Sequence, residues 1–262
     1  LQDHEDLALL TKLAEAAGDI AMRHFRNEPA FWEKDGGQGP VSEADLEIDA
    51  LLVERMKSAR PDYAILSEES ENDDTRISAQ DVFIIDPIDG TRAFLGGTSA
   101  FSHALAVVRD GVVRAAVVFL PAQERFYAAV AGAGATLNGD AIAARQGAEL
   151  PYVTILANKA ALASDAWSGA VPEVKRAYRP SLAYRFCLVA QGRFDGLITL
   201  RDAWEWDTAA GTLIAQEAGA TVTDGQGNAL RFNSPSAKHK GCITAPPALH
   251  AQLMAQRTAA AA

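Results

Sequence analysis

Cysteine is scarce in this sequence: Cys187 and Cys242 are the only two among 262 residues. Two thiols make no disulfide framework, and they fit a reducing compartment. Long apolar runs are also missing. No stretch approaches the roughly 20 residues of a membrane span, so no membrane partner is expected. The segment Leu1 to Leu10 carries acids and has no basic leader followed by an apolar stretch, so no signal peptide is expected and the cytoplasm is the expected location. Positive charge is short as well. Lys and Arg number 24 against 34 Asp and Glu, a formal net charge of -10. Such a surface repels nucleic-acid phosphates, and no nucleic-acid partner is expected. It also repels a phosphorylated metabolite, so a phosphate site would need strong local positive charge, and bound metal is the obvious source. Repeats and low-complexity tracts are absent. What remains is ordinary globular composition, 48% apolar and 22% charged. A chain this long buries roughly 70–75% of its unfolded surface, as one domain or as two closely packed lobes.

Spacing of three and four apolar residues predicts a helix over 3–26, through Leu7, Leu10, Ala14, Ala17 and Ala21. Residues 28–41, with Pro29, Gly36, Gly37, Gly39 and Pro40, read as a loop. A second helix is expected from Ser42 to Ser58, ended by Pro61. Short strand-like runs follow: Tyr63 to Leu66, Val82 to Ile85, His103 to Val108, Val112 to Phe119 and Arg125 to Val130. Arg109-Asp110-Gly111 is a hairpin signal, and Asn138-Gly139 marks another turn. The turn-rich segment 134–150 divides the chain into a lobe over 1–145 and a lobe over 146–262. In the second half, Tyr152 to Leu156, Phe194 to Leu200, Thr221 to Thr223 and Cys242 to Thr244 read as strands. Ser181 to Gln191, Thr208 to Ala218 and 247–258 read as helices, with a frayed tail over Ala259 to Ala262. Helices mixed with many short strands suggest an α+β layered architecture.

Three groups of acids fall at the ends of these elements: Glu68-Glu69, Asp86-x-x-Asp89 and Asp207. Hard cations such as Mg²⁺ take oxygen ligands and are commonly shared between a few carboxylates and substrate phosphate. Buried carboxylates this close repel one another unless a cation compensates. In Asp86-Pro87-Ile88-Asp89-Gly90-Thr91, Pro87 restricts the backbone, and the bend it sets could aim the Ile88 carbonyl at the same ion. Gly90 leaves room for phosphate to approach the main chain. A helix starting at Gly90 or Thr91 would turn free N–H groups toward an anion. Each piece also has a plain structural use. Asp-Pro-x-Asp makes a type I turn, Asp207 suits a helix N-cap, and Ser42 with Asp45 matches a capping box. The functional case rests on their joint occurrence and order.

That order resembles the inositol monophosphatase superfamily. The matching pieces are Val41-Ser42-Glu43-Ala44-Asp45, Ser67-Glu68-Glu69-Ser70, the Asp86 to Thr91 run, Gly132-Ala133-Gly134-Ala135 with Asn138-Gly139, and Trp206-Asp207-Thr208-Ala209-Ala210-Gly211 with Glu217-Ala218-Gly219-Ala220. The resemblance implies an αβαβα layered sandwich of the inositol monophosphatase and fructose-1,6-bisphosphatase type. It also implies a homodimer, two or three Mg²⁺ ions and sensitivity to lithium. By position, Glu68, Asp86 and the Ile88 carbonyl would hold a first ion, and Asp86, Asp89 and Asp207 a second. Water on the first ion would be the nucleophile. Thr91 would orient that water, Asp45 would hold the Thr91 hydroxyl, and Glu68 would assist with the water or a third ion. Asp89, Gly90, Thr91, Arg185 and Asp207 would touch the substrate, the Gly90 and Thr91 amides through its phosphate.

The resemblance implies a small phosphorylated metabolite as substrate. Inositol monophosphatases usually carry Glu seven residues before the aspartate of Trp206-Asp207, and this chain has Leu200 there. The stretch Arg185-Phe186-Cys187-Leu188-Val189-Ala190-Gln191-Gly192 is more similar to bacterial 3'(2'),5'-bisphosphate nucleotidases, which place Lys where Arg185 stands. Arg would grip a second phosphate bidentately. Left at the helix surface, it would only be solvated. Arg201 is a second candidate for the same task. Trp204 and Trp206 would either stack a base or fill core. Inositol 1-phosphate, histidinol phosphate and fructose 1,6-bisphosphate are the alternative substrates. An interaction protein on the same fold, partnering transcription machinery, is the alternative outside enzymes.

Overall fold

The computed structural model describes residues 1–34, 39–71 and 73–258. Of the expected loop over 28–41, residues 35–38 lie outside the described residues, as does the Ala259 to Ala262 tail. In chain order the elements are α1 Gln2–His24, β1 Phe31–Glu33, β2 Pro40–Ser42, α2 Glu43–Ala59, β3 Ala64–Ser67, β4 Asp81–Asp89, α3 Thr91–Leu95, β5 Ser102–Arg109, β6 Val112–Leu120, β7 Arg125–Val130, β8 Ala135–Leu137 and β9 Asp140–Ile142. They continue as β10 Thr154–Ala157, β11 Lys175–Ala177, α4 Leu182–Ala190, β12 Gly196–Thr199, β13 Ala203–Trp204, α5 Glu205–Glu217, β14 Thr221–Thr223, β15 Lys238–His239, β16 Cys242–Ala245 and α6 Pro247–Thr258. No described helix is long and apolar enough to cross a membrane.

Alternation along the strands sets the layers. Phe83, Ile85, Leu105 and Val107 point from the seven-stranded sheet β3-β4-β5-β6-β7-β8-β9 into one core with Leu10 and Leu13 of α1 and Ile48 and Leu52 of α2. Val82, Ile84, Ala104 and Ala106 point the other way, against Phe186 of α4 and Leu213 and Ile214 of α5. The far side of α4 and α5 meets Leu156 and Leu197 of the five-stranded sheet β11-β10-β12-β16-β14. That sheet's opposite face, Ile155, Ile198 and Ile243, packs on Leu249 and Leu253 of α6. The five layers are therefore helix, sheet, helix, sheet, helix, as the resemblance implied. Each fully buried Leu or Phe in these cores contributes about 1.5–3 kcal/mol. The two inner helices pack tightly. A Cβ added to Gly211 of α5 would lie 2.6 Å from Phe186 Cβ of α4.

Two turns follow from residue type. Asp110 and Gly111 take φ of 52° and 75° between β5 and β6, the left-handed pair that a two-residue hairpin loop needs. The Glu217 carboxylate at the end of α5 accepts the amides of Gly132 and Gly134, both at 2.8 Å, and so ties the β7–β8 turn to the helix.

Three expectations are corrected. Residues 31–33 form a strand rather than loop, pairing antiparallel with Pro40–Ser42. All three are exposed, so no burial pattern marks them in the sequence. Helix α5 begins at Glu205, earlier than expected, which puts Asp207 inside the first turn and excludes it as N-cap. Strand β4 runs past Ile85 to Asp89, through a bulge.

The bulge matters for chemistry. Asp86 pairs with Ala104 and Asp89 with Ser102, so Pro87 and Ile88 together stand opposite His103 alone. On a regular strand, side chains three apart point to opposite faces. The extra residue reverses the phase. Ile88 consequently joins Phe83 and Ile85 in the α1–α2 core, and Asp86 and Asp89 come out on the same face.

Candidate active site

Asp86 and Asp89 at the end of β4 and Asp207 in the first turn of α5 bring carboxylate oxygens within 4.8 Å of one another. They line a cavity of about 320 Å³ together with Glu68, the Ile88 backbone, Gly90, Thr91, Arg185 and Arg201. Both Asp86 oxygens are buried with no hydrogen-bond partner among the described residues. Burial first, then the negative charges of Glu68, Asp89, Asp207 and Glu69, push the Asp86 carboxyl well above its usual range. Burial and the Asp89 and Glu68 charges do the same to Asp207, against the pull of Arg201 and Arg185. Orphaned acid oxygens packed this closely fit a divalent cation, because the donor set is all oxygen and the cation supplies the missing charge.

Asp89 is placed differently. Ser181 Oγ donates to its Oδ2 at 2.8 Å, the Ala183 amide to Oδ2 at 2.6 Å and the Leu182 amide to Oδ1 at 3.1 Å. It therefore covers the N-terminus of α4, where Ser181 is the N-cap through its bond from the Tyr184 amide. Each carboxylate oxygen has about two lone-pair sites, so Oδ1 keeps one for a cation. Burial still raises its pKa on balance, over these hydrogen bonds and the Arg185 charge.

Glu68 lines the cavity but lies outside the three-oxygen cluster, and the Lys34 ammonium holds it at 2.9 Å and Glu69 at 2.7 Å. Burial alone would lower the Lys34 pKa; the Glu68 and Glu69 carboxylates reverse this and raise it. Burial and the Glu68 charge push Glu69 up to about 7. Asp49, one turn after Asp45 on the same face of α2, accepts Ser67 Oγ at 2.5 Å and Ser70 Oγ at 2.8 Å and so fixes the turn that carries both glutamates.

Asp45 serves on two sides. Its Oδ2 accepts the Ser42 amide at 2.8 Å in the capping box of α2, and its Oδ1 faces Thr91 Oγ1 at 3.4 Å. Thr91 Oγ1 also donates to the Ile88 carbonyl at 3.1 Å. Burial, with the Glu68 charge, pushes the Asp45 carboxyl up to about 6 against the Ser42 hydrogen bonds. Gly90 takes φ of 98°, where a Cβ would press on the Ala100 carbonyl at 3.2 Å, so glycine is required between the acids and α3.

Two cationic side chains, Arg185 and Arg201, line the same cavity. Arg185 is 6% exposed, not a surface side chain of its helix. The one hydrogen-bond acceptor its side chain meets among the described residues is the Ser181 carbonyl at 3.3 Å, and its guanidinium lies 5.0 Å over the half-exposed Tyr178 ring. Trp204 and Trp206 stack on each other at 4.5 Å, and Lys238 Nζ lies 3.8 Å from the Trp204 ring centre, which leaves no room for a base on either Trp204 face. Tyr178, half-exposed, lines the same cavity. Leu200 is not among the residues lining this cavity.

The structure thus gathers every residue expected at the site into one cavity wall, apart from Asp45, which stands directly behind Thr91. Sequence reading missed Lys34, Asp49, Ser181 and Tyr178. Ser181 alone left a signal, a serine opening an apolar helical run.

A model of the inositol monophosphatase family matches residues 2–261. The chain is similar to a 3'(2'),5'-bisphosphate nucleotidase CysQ of Aggregatibacter actinomycetemcomitans, with 30% identity over 85% of both chains. It is similar to a Nus factor SuhB of Vibrio cholerae, with 33% identity over 84% of this chain and 85% of that one. Among solved structures, an IMPase of Thermotoga maritima superposes with a TM-score of 0.80 and 28% identity, covering 96% of this chain and 95% of that one.

Proposed function

Because the chain belongs to the inositol monophosphatase family, we propose that it hydrolyses the phosphate monoester of a small metabolite carrying a second anionic group, with a 3'(2'),5'-bisphosphate nucleotide as the best fit. Membership makes the chain a metal-dependent hydrolase of phosphate monoesters. The nucleotide preference rests on one observation. Arg185 is buried in the lining of the cavity that holds the acid cluster, where its charge acts on Asp89 and Asp207 but its guanidinium forms no ion pair with either among the described residues. A buried cation normally has an anionic partner. Arg201 lines the same cavity, so two guanidinium groups stand ready for a second phosphate while the first meets the acids.

Asp86, Asp89, Asp207, Glu68 and the Ile88 carbonyl would hold two or three Mg²⁺ ions. Bound there, Mg²⁺ acidifies water and offsets charge on the phosphoryl and leaving oxygens. The chain does the rest. The Gly90 and Thr91 amides take the phosphoryl oxygens. Thr91 Oγ1 orients the attacking water and relays its proton to Asp45, whose Oδ1 faces the hydroxyl. Water oxygen bonds to phosphorus, the ester P–O bond breaks with its electrons on the leaving oxygen, which takes a proton from solvent water, and inorganic phosphate is released. Tyr178, half-exposed in the cavity lining, is the aromatic placed to pack against the base. A homodimer in the cytoplasm completes the proposal, in keeping with two buried free cysteines.

The test is Mg²⁺-dependent phosphate release, with and without lithium, from 3'-phosphoadenosine 5'-phosphate, inositol 1-phosphate, histidinol phosphate and fructose 1,6-bisphosphate. Hydrogen bonds to a charged group contribute about 1.5–3 kcal/mol, so Arg185→Ala should raise KM for the adenosine bisphosphate about 10–100-fold. Its KM for inositol 1-phosphate should stay within about threefold of the original. Equal losses on both would remove Arg185 from the substrate. Wild-type turnover dominated by inositol 1-phosphate would reject the nucleotide. The similarity to a Nus factor favours a second reading, an interaction protein on this fold. Partner binding that survives metal removal, with no phosphate release, would support it.

A further inference from the structure

The bulge in β4 needs something to hold it open, and the partner strand supplies a histidine. His103 is fully buried on β5, directly opposite Pro87 and Ile88. Its Nδ1 bonds the Pro87 carbonyl at 2.5 Å. Proline has no N–H, so the ladder cannot close normally here. Without the imidazole, the Pro87 carbonyl would be a buried acceptor whose donor is gone.

Packing does not explain this side chain. The ring sits edge-on to Phe101 at 6.4 Å and near Phe119 at 6.2 Å, apolar neighbours that ask for no polar side chain. Burial pushes the His103 pKa down to about 4, so the ring is neutral near pH 7. A neutral imidazole has one N–H. Bonding to a carbonyl places that hydrogen on Nδ1, and Nε2 is left buried with no partner. Leaving a polar atom so is costly, which points to a specific use for the other nitrogen.

We propose that His103 is a positioning residue for the acid cluster: by pinning the Pro87 carbonyl it fixes the bulge that turns Asp86 and Asp89 to the same face. It lies outside the cavity lining and touches no substrate. The inference rests on reading the cluster as a metal site. It assigns part of the site's cation affinity to a residue behind the ligands, as outer-shell hydrogen bonds do at other metal centres.

Calorimetric Mg²⁺ titration of the full chain, with His103→Asn and His103→Gln, tests this. Asparagine presents its amide nitrogen near the Nδ1 position, and glutamine presents one near Nε2. His103→Asn should bind Mg²⁺ within about threefold of the original, and His103→Gln about tenfold or more weakly, a loss typical of outer-shell changes. Equal Mg²⁺ affinity in both variants would overturn the proposal. No Mg²⁺ binding by the unaltered protein would overturn the metal reading and this inference with it. A second measurement needs no variant to fold. Nitrogen-15 spectra of the histidines in the unaltered protein should show His103 with its hydrogen on Nδ1, slow to exchange and shifted by Mg²⁺. A hydrogen on Nε2, or resonances indifferent to Mg²⁺, would refute the role.

Discussion

Replacing Asp86 with Asn should make the metal-free protein more stable and blind to Mg²⁺. Three carboxylates have oxygens within 4.8 Å of one another. At an effective dielectric of about 20, two charges about 5 Å apart repel by about 3–4 kcal/mol. The wild-type protein escapes part of this by protonating a carboxyl, at about 1.4 kcal/mol for each tenfold change in proton affinity. Both Asp86 oxygens already lack partners, and the two N–H donors of the variant's amide have the Asp89 and Asp207 carboxylates nearby as acceptors. A net gain of about 1–3 kcal/mol at pH 7.5 follows, or about 2–5 °C in Tm for a chain of this size. The assay is thermal melting in EDTA and again in millimolar Mg²⁺, with phosphate release measured in parallel. In Mg²⁺ the wild-type Tm should rise, the variant's should not, and turnover should be nearly lost. A variant that melts below wild type in EDTA, or that keeps the Mg²⁺ shift, would refute the cluster argument.

The metal-free protein should lose stability as pH rises from about 4 to about 7, because Asp45, at about 6, and Glu69, at about 7, both have folded pKa values above those of the unfolded chain. Their protonated forms favour the fold, fully so below about pH 4, and Asp45 accounts for about 3 kcal/mol of the loss. Urea titrations across this range in EDTA should therefore show a steeper decline for wild type than for Asp45→Asn, and parallel curves would reject the assignment. Gly211→Ala should destabilise the fold by about 1–2 kcal/mol, since overpacking against Phe186 outweighs the helix propensity of alanine. A variant at least as stable as wild type in urea would mean that α4 moves aside freely.

The acid cluster was legible because turn chemistry and charge are local. Pro87 and Gly90 announce a special backbone between two carboxylates, and Ser42 with Asp45 announces a helix start. The bulge was not legible, since Val82 to Ile85 is buried on both faces and leaves no alternation to interrupt. The start of α5 was hidden for a tertiary reason. The Glu205 carboxylate is occupied by the Asn233 and Ser234 amides, which Arg76 holds in place from another part of the chain. For Arg185 the sequence left a cavity reading and a surface reading open, and the surface one fails because α4 lies between two sheets and is buried all round. Lys34 carried no signal, since a lone cation beside glycines says nothing about the acids it will meet.

The spread of the acid trio along the chain also has a consequence for biosynthesis. Asp89 meets Ser181, 92 residues onward, and Asp207 is roughly 120 residues beyond Asp86. At usual rates of about 5–20 residues per second, a ribosome takes about 6–24 s to reach the third acid after the first. Closing so large a loop must precede any reward from the contact. The nascent chain therefore carries Asp86 and Asp89 as ordinary solvated acids. With the trio as the proposed cation site, cation affinity would arrive late, once α5 has docked, and capture would act on the finished molecule, as a final ratchet against unfolding.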